Sequence, residues 1–323
     1  MSLGAKKRTI IVGHAGQDGS LLINDLQNRG DEIIGIGRLS YLGSPSFPGE
    51  IAGDISSAEE IHSLVRAFQP NEVYYLAADH TSSEVLGNQV SVLQQFVNAQ
   101  TTHVSGLVNF LSAIKMESRS ARLFYASSSL VFSGKDGEIQ NEHTPFTPQG
   151  FYGITKTQGM WLCREFREKY DVFASVGILY NHESHLRKNN FLSAKIIQTA
   201  IRIAGGSDEK LEIGSLSSRV DWGYAKDYVL AFQKILAAEM PDDFIVATGE
   251  AHTVEEFVNI VFNYFCLDRE KYLVENKNIL ARIPLIKIGN ANKLRNTTGW
   301  RPSLVYEDFV VQLIRDHLAS KIA

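Results

Sequence analysis

A chain of 323 residues suffices for one large domain or two ordinary ones, with a sizeable core. Hydrophobic residues make up 44% and charged residues 21%, proportions usual for a soluble enzyme, and the net charge of -4 offers no electrostatic case for nucleic acid or an anionic membrane as partner. No apolar run reaches transmembrane length, and Met1-Ser2-Leu3-Gly4 lacks the apolar core of a signal peptide. Cys163 and Cys266 are too few for a disulfide framework and lack metal-ligand spacing; both are expected in core positions, with a reducing cytoplasm as the default compartment.

Thr9-Ile10-Ile11-Val12 is a β-branched run and reads as a buried strand. It leads straight into Gly13-His14-Ala15-Gly16-Gln17-Asp18-Gly19 and then a helical pattern to Gly30. Glycines at 13, 16 and 19 suit a sharp strand-to-helix turn whose backbone lets a pyrophosphate approach the helix N-terminus. Gln17 and Asp18 sit at that helix start. Glu32-Ile33-Ile34-Gly35-Ile36 is the second strand. An NAD site commonly carries an acid just beyond it, on the ribose 2′-hydroxyl. Here that place holds Gly37, followed by Arg38-Leu39-Ser40. A missing acid with an arriving arginine and serine suits a 2′-phosphate, so NADP is expected in preference to NAD.

A loop rich in Gly, Pro and Ser spans 41–50, and Gly53-Asp54-Ile55 ends a third short extended segment. Asp54 with Ile55 is placed to meet the adenine edge, or else serves the turn. Ser57-x-x-Glu60 is a capping box before Ile61, Leu64, Val65 and Phe68 at helical spacing. Val73-Tyr74-Tyr75-Leu76 is the next strand, and the small residues Ala77 and Ala78 after Leu76 would let a dinucleotide lie across the strand ends. One long helix is expected from about Ser83 to Glu117. Leu123-Phe124-Tyr125-Ala126 is a further strand, whose C-terminal end aims Ser127-Ser128-Ser129 at the ligand crevice.

Tyr152 and Lys156 stand four apart at the start of a helix, hence on one face. A lysine ammonium beside a phenol favours the phenolate, so Tyr152 is expected to exchange protons below its ordinary pKa; Lys156 also suits the ribose hydroxyls. Strand and helix alternate as far as 172–176, which predicts an α/β doubly wound parallel sheet with right-handed crossovers. Residues 180–190 read as a polar loop; His182 and His185 have no cysteine partner, so no metal site is expected. Helices follow at 191–204, 225–238 and from Tyr306, with a strand at 244–247 returning to the sheet. Arg219, beside Ser215, Ser217 and Ser218, suits a phosphate, or else pairs with Asp221.

These residues resemble the extended short-chain dehydrogenase/reductases, and among them GDP-mannose 4,6-dehydratases. The likeness spans nearly the whole chain. It is carried by Gly13-x-x-Gly16-Gln17-Asp18-Gly19-Ser20, Leu76-Ala77-Ala78, Tyr152-x-x-x-Lys156, Leu179-Tyr180-Asn181-His182-Glu183-Ser184, Asn190-Phe191, Arg219 to Val229, Ala247-Thr248-Gly249-Glu250 and Gly299-Trp300-Arg301-Pro302. The resemblance implies an NADP-binding Rossmann domain over 5–180, with segments of about 220–250 returning to it. It implies an interleaved, smaller α/β substrate domain over 181–323 that grips a nucleotide-diphosphate sugar, with GDP the expected base. It implies redox chemistry at sugar C4: Tyr152 exchanging the C4 hydroxyl proton, Lys156 supporting it, Ser128 polarising that oxygen. Leu179, His182 and Arg187 fall near the cofactor. Asp79, Ser129, Asn181, Asn190, Lys195, Arg219 and Arg282 fall toward the sugar nucleotide. A homodimer or homotetramer is implied, with the loop from Arg38 to Gly49 a candidate to reach a neighbouring cofactor site.

One departure stands out. Dehydratases of this kind place a glutamate two residues after the catalytic hydroxyl residue, as the base at C5. Leu130 stands there. Loss of such a base removes a contribution on the order of 10²–10⁴-fold. Asp79 and His103 also replace the residues usual in that family. The expectation is therefore a 4-keto reductase or 4-epimerase. The alternatives are an active dehydratase in which Asp79 or Glu183 moves the C5 proton, and a non-catalytic NADPH-sensing protein.

Overall fold

The computed structural model describes residues 6–37, 49–79, 91–134, 137–280 and 286–321. The seven expected strands of the main sheet are Arg8–Val12 (β1), Glu32–Gly37 (β2), Glu50–Ala52 (β3), Glu72–Tyr75 (β4), Arg122–Ser128 (β5), Phe173–Leu179 (β6) and Asp243–Val246 (β7). They form one sheet in the order β7-β6-β5-β4-β1-β2-β3, every neighbouring pair parallel. This is the Rossmann arrangement, with the strand order reversing between β1 and β4.

A parallel sheet needs cover on both faces. Helices Gln17–Arg29 (α1), Ala58–Phe68 (α2), Val92–Gln100 (α3), Gly106–Glu117 (α4), Gly150–Tyr170 (α5), Leu192–Ala204 (α6), Ala225–Ala237 (α7) and Val254–Tyr264 (α8) follow in chain order. Ile10, Val12, Tyr75 and Tyr125 meet Val65 of α2, Phe110 of α4 and Met160 of α5 in one core. Their strand neighbours Ile11, Tyr74 and Phe124 meet Leu22 of α1 and Phe232 of α7 in the other. The two-residue alternation of each strand thus feeds both cores. A third core joins Ile197 of α6, Phe257 of α8, Trp222 and Leu313 of the last helix, Tyr306–Ala319.

Three expectations are corrected. The long helix is broken: α3 and α4 are separated by a π-helical turn, Thr101–Ser105. In that turn the Gly106 N–H donates to the Thr101 carbonyl, five residues back, and the Tyr75 hydroxyl donates to the Thr102 carbonyl at 2.6 Å. Gly106 makes room for the same hydroxyl. The part of that stretch at 80–90 lies outside the described residues. Within 180–190, Asn181–Glu183 is a short strand, parallel to Trp222–Tyr224. Cys163 is buried as expected, but Cys266 is exposed, in a turn with φ of 53°.

The third core is tied to the sheet edge by Asp221. Its carboxylate accepts from the N–H groups of Thr248 (2.9 Å), Gly249 (3.1 Å) and Gly289 (3.1 Å) and from the Thr248 hydroxyl (2.6 Å). Asp221 is only 2% exposed, and burial holds its pKa above the ordinary value despite those donors. Replacement by alanine would strand buried donors, each costing about 1–3 kcal/mol. Urea unfolding of Asp221→Ala is expected to show a loss of about 3 kcal/mol or more; an unchanged midpoint would refute this role.

Candidate active site

The strand ends of β1, β4, β5 and β6 open onto one cleft of about 920 Å³. Gly13 turns the chain at φ of +89°, and a Cβ there would lie 2.8 Å from Cα of Ala77. A Cβ on Gly19 would lie 2.6 Å from the Gly13 carbonyl oxygen. Only glycine therefore permits the loop to pass between the end of β4 and the start of α1. Gly16 is open by comparison: its Cβ would meet only the Gly13 oxygen, at 3.3 Å. No side chain caps α1 at Gly16, so the N–H groups of its first turn face the cleft without that competition. Beyond it, Ser127 is 3% exposed and its hydroxyl has no hydrogen-bond partner in the structure. A glycine-lined helix terminus and a buried, unpaired hydroxyl fit a nicotinamide dinucleotide.

Tyr152 and Lys156 project from the first turns of α5 into this cleft. The Ser128 hydroxyl hydrogen-bonds Tyr152. Ser128 also takes the Leu130 N–H at 3.2 Å, which starts the single 3₁₀ turn Ser129–Val131. Lys156 is 1% exposed, and its ammonium donates to the carbonyls of Ala126 (2.8 Å) and Ala77 (3.5 Å). It stands 5.7 Å from the centroid of the Tyr152 ring. The expected lowering of the Tyr152 pKa by Lys156 is not what this geometry produces. Burial pushes Tyr152 up to about 12, against the pull of Arg187 and the Ser128 hydrogen bond. Burial likewise pushes Lys156 down to about 7. Both groups are governed by desolvation, because the lysine spends its donors on strand carbonyls.

His103 lies behind Tyr152, ring edge to ring face at 5.1 Å between centroids. Its Nε2 accepts from the Asp79 N–H at 3.0 Å, so the proton is on Nδ1, which donates to the Thr155 hydroxyl at 2.7 Å. Thr155 in turn donates to the Phe151 carbonyl at 2.8 Å. The π turn places this neutral imidazole where it joins the β4 end to α5.

Gln17, Asp18 and His182 form a second cluster. His182 donates from Nδ1 to the Tyr180 carbonyl (2.7 Å) and from Nε2 to Asp18 (3.0 Å), an arrangement that needs both ring protons. Burial disfavours the imidazolium, but Asp18 outweighs it and His182 ends above its ordinary pKa of 6.5. Burial also disfavours the Asp18 carboxylate, yet His182 and Gln17 hold it below its ordinary 3.8. Gln17 donates to the His182 carbonyl at 3.1 Å and accepts from Ser184 at 2.9 Å.

Of the residues singled out in the sequence, Gly13, Gly16, Gln17, Asp18, Gly19, Asp54 and Ile55 line the cleft. So do Leu76, Ala77, Ala78, Asp79, Ser128, Ser129 and Leu179, together with Asn181, His182, Arg187 and Asn190. Asp54 keeps a turn as well, accepting from the Ser56 N–H (2.9 Å) and hydroxyl (2.7 Å). Arg219 and Lys195 are not among the lining residues. Arg219 donates to the Ala251 carbonyl at 2.8 Å, and its neighbours Ser215 and Ser218 line the cleft instead. Nor does Arg219 take Asp221, whose carboxylate is occupied by Thr248, Gly249 and Gly289. Arg38, Ser40 and Arg282 lie outside the described residues, as does most of the 38–49 loop. Missed were Asn98 at the end of α3, Thr101 and Thr102 in the π turn, and Lys188 on the 184–190 segment, all of which line the cleft.

The His182–Asp18 pair makes a pH-dependent contribution. The histidine part is fully present below 6.5 and lost as pH rises through the higher folded-state value. The aspartate part is present above 3.8 and lost as pH falls through the lower folded-state value. The melting temperature of His182→Gln should therefore fall furthest below that of the parent near pH 5–6, with the gap narrowing above pH 7. A gap independent of pH would show that the pair is not ionised.

The sequence family described as GDP-mannose 4,6 dehydratase matches residues 10–313. GDP-mannose 4,6 dehydratase 2 of Arabidopsis thaliana is 32% identical over 97% of this chain and 87% of its own. A Caenorhabditis elegans relative of the same name is 33% identical over 98% of this chain and 90% of its own. Among solved structures, a UDP-glucose 4-epimerase from Thermotoga maritima, determined with UDP-glucose, superposes with a TM-score of 0.81 at 18% identity, covering 98% of this chain and 100% of that one. A dTDP-glucose 4,6-dehydratase from Bacillus anthracis, in complex with NAD, has a TM-score of 0.81 at 17% identity, covering 98% of each. At such identities the structural likeness is one of fold. The matched length and the relatives' identity establish that the chain belongs to the GDP-mannose 4,6-dehydratase family.

Proposed function

We propose that this protein is an NADP-dependent enzyme that acts at C4 of a nucleotide-diphosphate sugar, as a 4-keto reductase or 4-epimerase. The observation that carries this reading is Leu130, which lines the same cleft as Tyr152, two residues beyond Ser128. Its side chain has no proton to give or take. Glu183 is a poor substitute, since it is 3% exposed, accepts from Ser193 at 2.7 Å and faces Arg187 at 3.2 Å. Asp79 is the carboxylate left to an elimination, and family membership keeps that second reading in view.

Bound nicotinamide supplies or receives the hydride at C4. The protein's part is the proton. Ser128 holds the C4 oxygen, and Tyr152 protonates it as the carbonyl is reduced. A phenol pushed up to about 12 is neutral at working pH, the form a reduction needs. Epimerisation would instead begin from the Tyr152 phenolate, which would take the C4 hydroxyl proton as the carbon is oxidised and return it when the carbonyl is reduced again from the opposite face. A purely NADPH-sensing role would leave the Ser128–Tyr152 hydrogen bond without a purpose. NADP is favoured by Gly37 at the end of β2 and Arg38 after it. The relatives' names favour GDP as the nucleotide. Residues 5–180, with 220–250, would hold the cofactor, and 181–323 the sugar nucleotide. There Asn181, Asn190, Ser215 and Ser218 line the cleft with polar groups, and Arg187 and Lys188 line it with cations that suit phosphates.

A mass-spectrometric product screen tests this. GDP-4-keto-6-deoxymannose with NADPH is expected to gain two hydrogens, or a GDP-hexose to give an isomer of the same mass that separates chromatographically, while GDP-mannose loses no water. Loss of water from GDP-mannose by the parent protein would overturn the reading. Leu130→Glu should then introduce or raise water loss by about 10²-fold, the usual scale of one general base.

A homo-oligomer is supported by apolar side chains on two neighbouring helices. Val92 and Leu93 on α3 are 68% and 72% exposed, and Trp161 on α5 is 56% exposed. Sedimentation velocity should give a dimer or larger, and Trp161→Glu should shift it toward monomer; a parent monomer at micromolar concentration would refute this.

A further inference from the structure

The end of β2 carries a steric device that the cofactor assignment does not by itself explain. Gly37 lines the cleft, while His14 does not. A Cβ on Gly37 would lie 2.7 Å from Cε1 of His14 and 3.4 Å from its Nδ1. Contacts this short do not occur between real side chains, so one of the two groups would have to move.

His14 has little freedom to do so. It is 2% exposed. Its backbone is wedged against α1, where a Cβ on Gly19 would lie 2.6 Å from the His14 Cα. Its Nε2 stands 3.2 Å from Oε1 of Glu50, the first residue of β3, whose side chain is itself 7% exposed. The imidazole is thus held from the β1 turn on one side and from β3 on the other, directly behind the last residue of β2. In a Rossmann sheet this is where the adenine ribose lies, and an acidic side chain there takes the 2′-hydroxyl and repels a 2′-phosphate.

We infer that His14, anchored by Glu50, is a specificity-determining positioning residue: it bars any side chain, and so any carboxylate, from position 37, and keeps the ribose end open to a 2′-phosphorylated nicotinamide dinucleotide. This rests on the NADP reading above. The steric half of it, however, is a property of the chain alone.

The test is a double-mutant cycle of Gly37→Asp and His14→Ala in the full chain. It is read by melting temperature without cofactor and by Kd for NADPH and NADH from fluorescence titration. Gly37→Asp alone should melt lower than the parent and bind both dinucleotides worse. Gly37→Asp with His14→Ala should recover much of that melting temperature. Its NADPH-to-NADH preference should move toward NADH by about tenfold or more relative to His14→Ala, the scale of one close charge contact. If Gly37→Asp alone melts like the parent and switches to NADH, His14 is no barrier and the inference fails. It fails equally if the double variant binds NADH no better than His14→Ala, a comparison that holds even if Gly37→Asp does not fold. A parent protein that prefers NADH would instead sink the NADP reading, and would leave the coupling in melting temperature as a separate result.

Discussion

The approach of Gly13 to Ala77 is the constraint on which the site depends. Where the strand order reverses, the β1 turn and the end of β4 diverge to opposite faces of the sheet, and the crevice between them is the natural ligand site. The two backbones pass so close that a methyl group on Gly13 would sit 2.8 Å from Ala77. That closeness fixes the α1 N-terminus over the strand ends and sets Ala77 where its carbonyl reaches Lys156. The glycine turn and α5 are therefore registered to each other through the backbone at Ala77, which the Lys156 side chain reaches from α5.

Burial decides the acid–base character of the groups that follow from this placement. Lys156 reaches two carbonyls but no carboxylate, so desolvation brings it down to about 7. Tyr152 has one hydroxyl partner and a distant lysine, so desolvation takes it upward. His182 and Asp18 go the opposite way because each faces the other at 3.0 Å. Desolvation thus pushes Tyr152 and Lys156 toward their neutral forms, while His182 and Asp18 are pushed toward their charged forms, the difference being a counter-ion within contact distance.

Most of the sheet was legible because each strand buries both faces and so reads as an unbroken apolar run. The glycine turn, Ser128, Tyr152 and Lys156 were legible because their order along the chain mirrors their order across the sheet. What escaped was set by contacts between distant residues. The π turn is met by the Tyr75 hydroxyl, on a strand that residues 101–105 do not reveal. The strand at Asn181–Glu183 exists only because Trp222–Tyr224 lies beside it. Arg219 reads as a phosphate ligand by its serine neighbours, yet the short β-ladder with His252 and Thr253 turns it toward Ala251. The lysine–tyrosine spacing was right, while its electrostatic consequence depended on carbonyls that no spacing rule supplies.

Strand β7 has a consequence for how the molecule forms. It pairs with β6, Asp243 opposite Val176, after the chain has left the sheet to build α6 and the Trp222 ladder. Asp221 then needs Gly289 as its last donor. During synthesis from the N-terminus, the sheet therefore has an unfinished edge until well past residue 246, and the buried carboxylate is incompletely satisfied until residue 289 arrives. The parallel sheet cannot be completed ahead of the rest of the chain. The chain should come off the ribosome as one late, cooperative folding unit with slow, long-range closure, rather than as a finished dinucleotide-binding domain followed by an appendage.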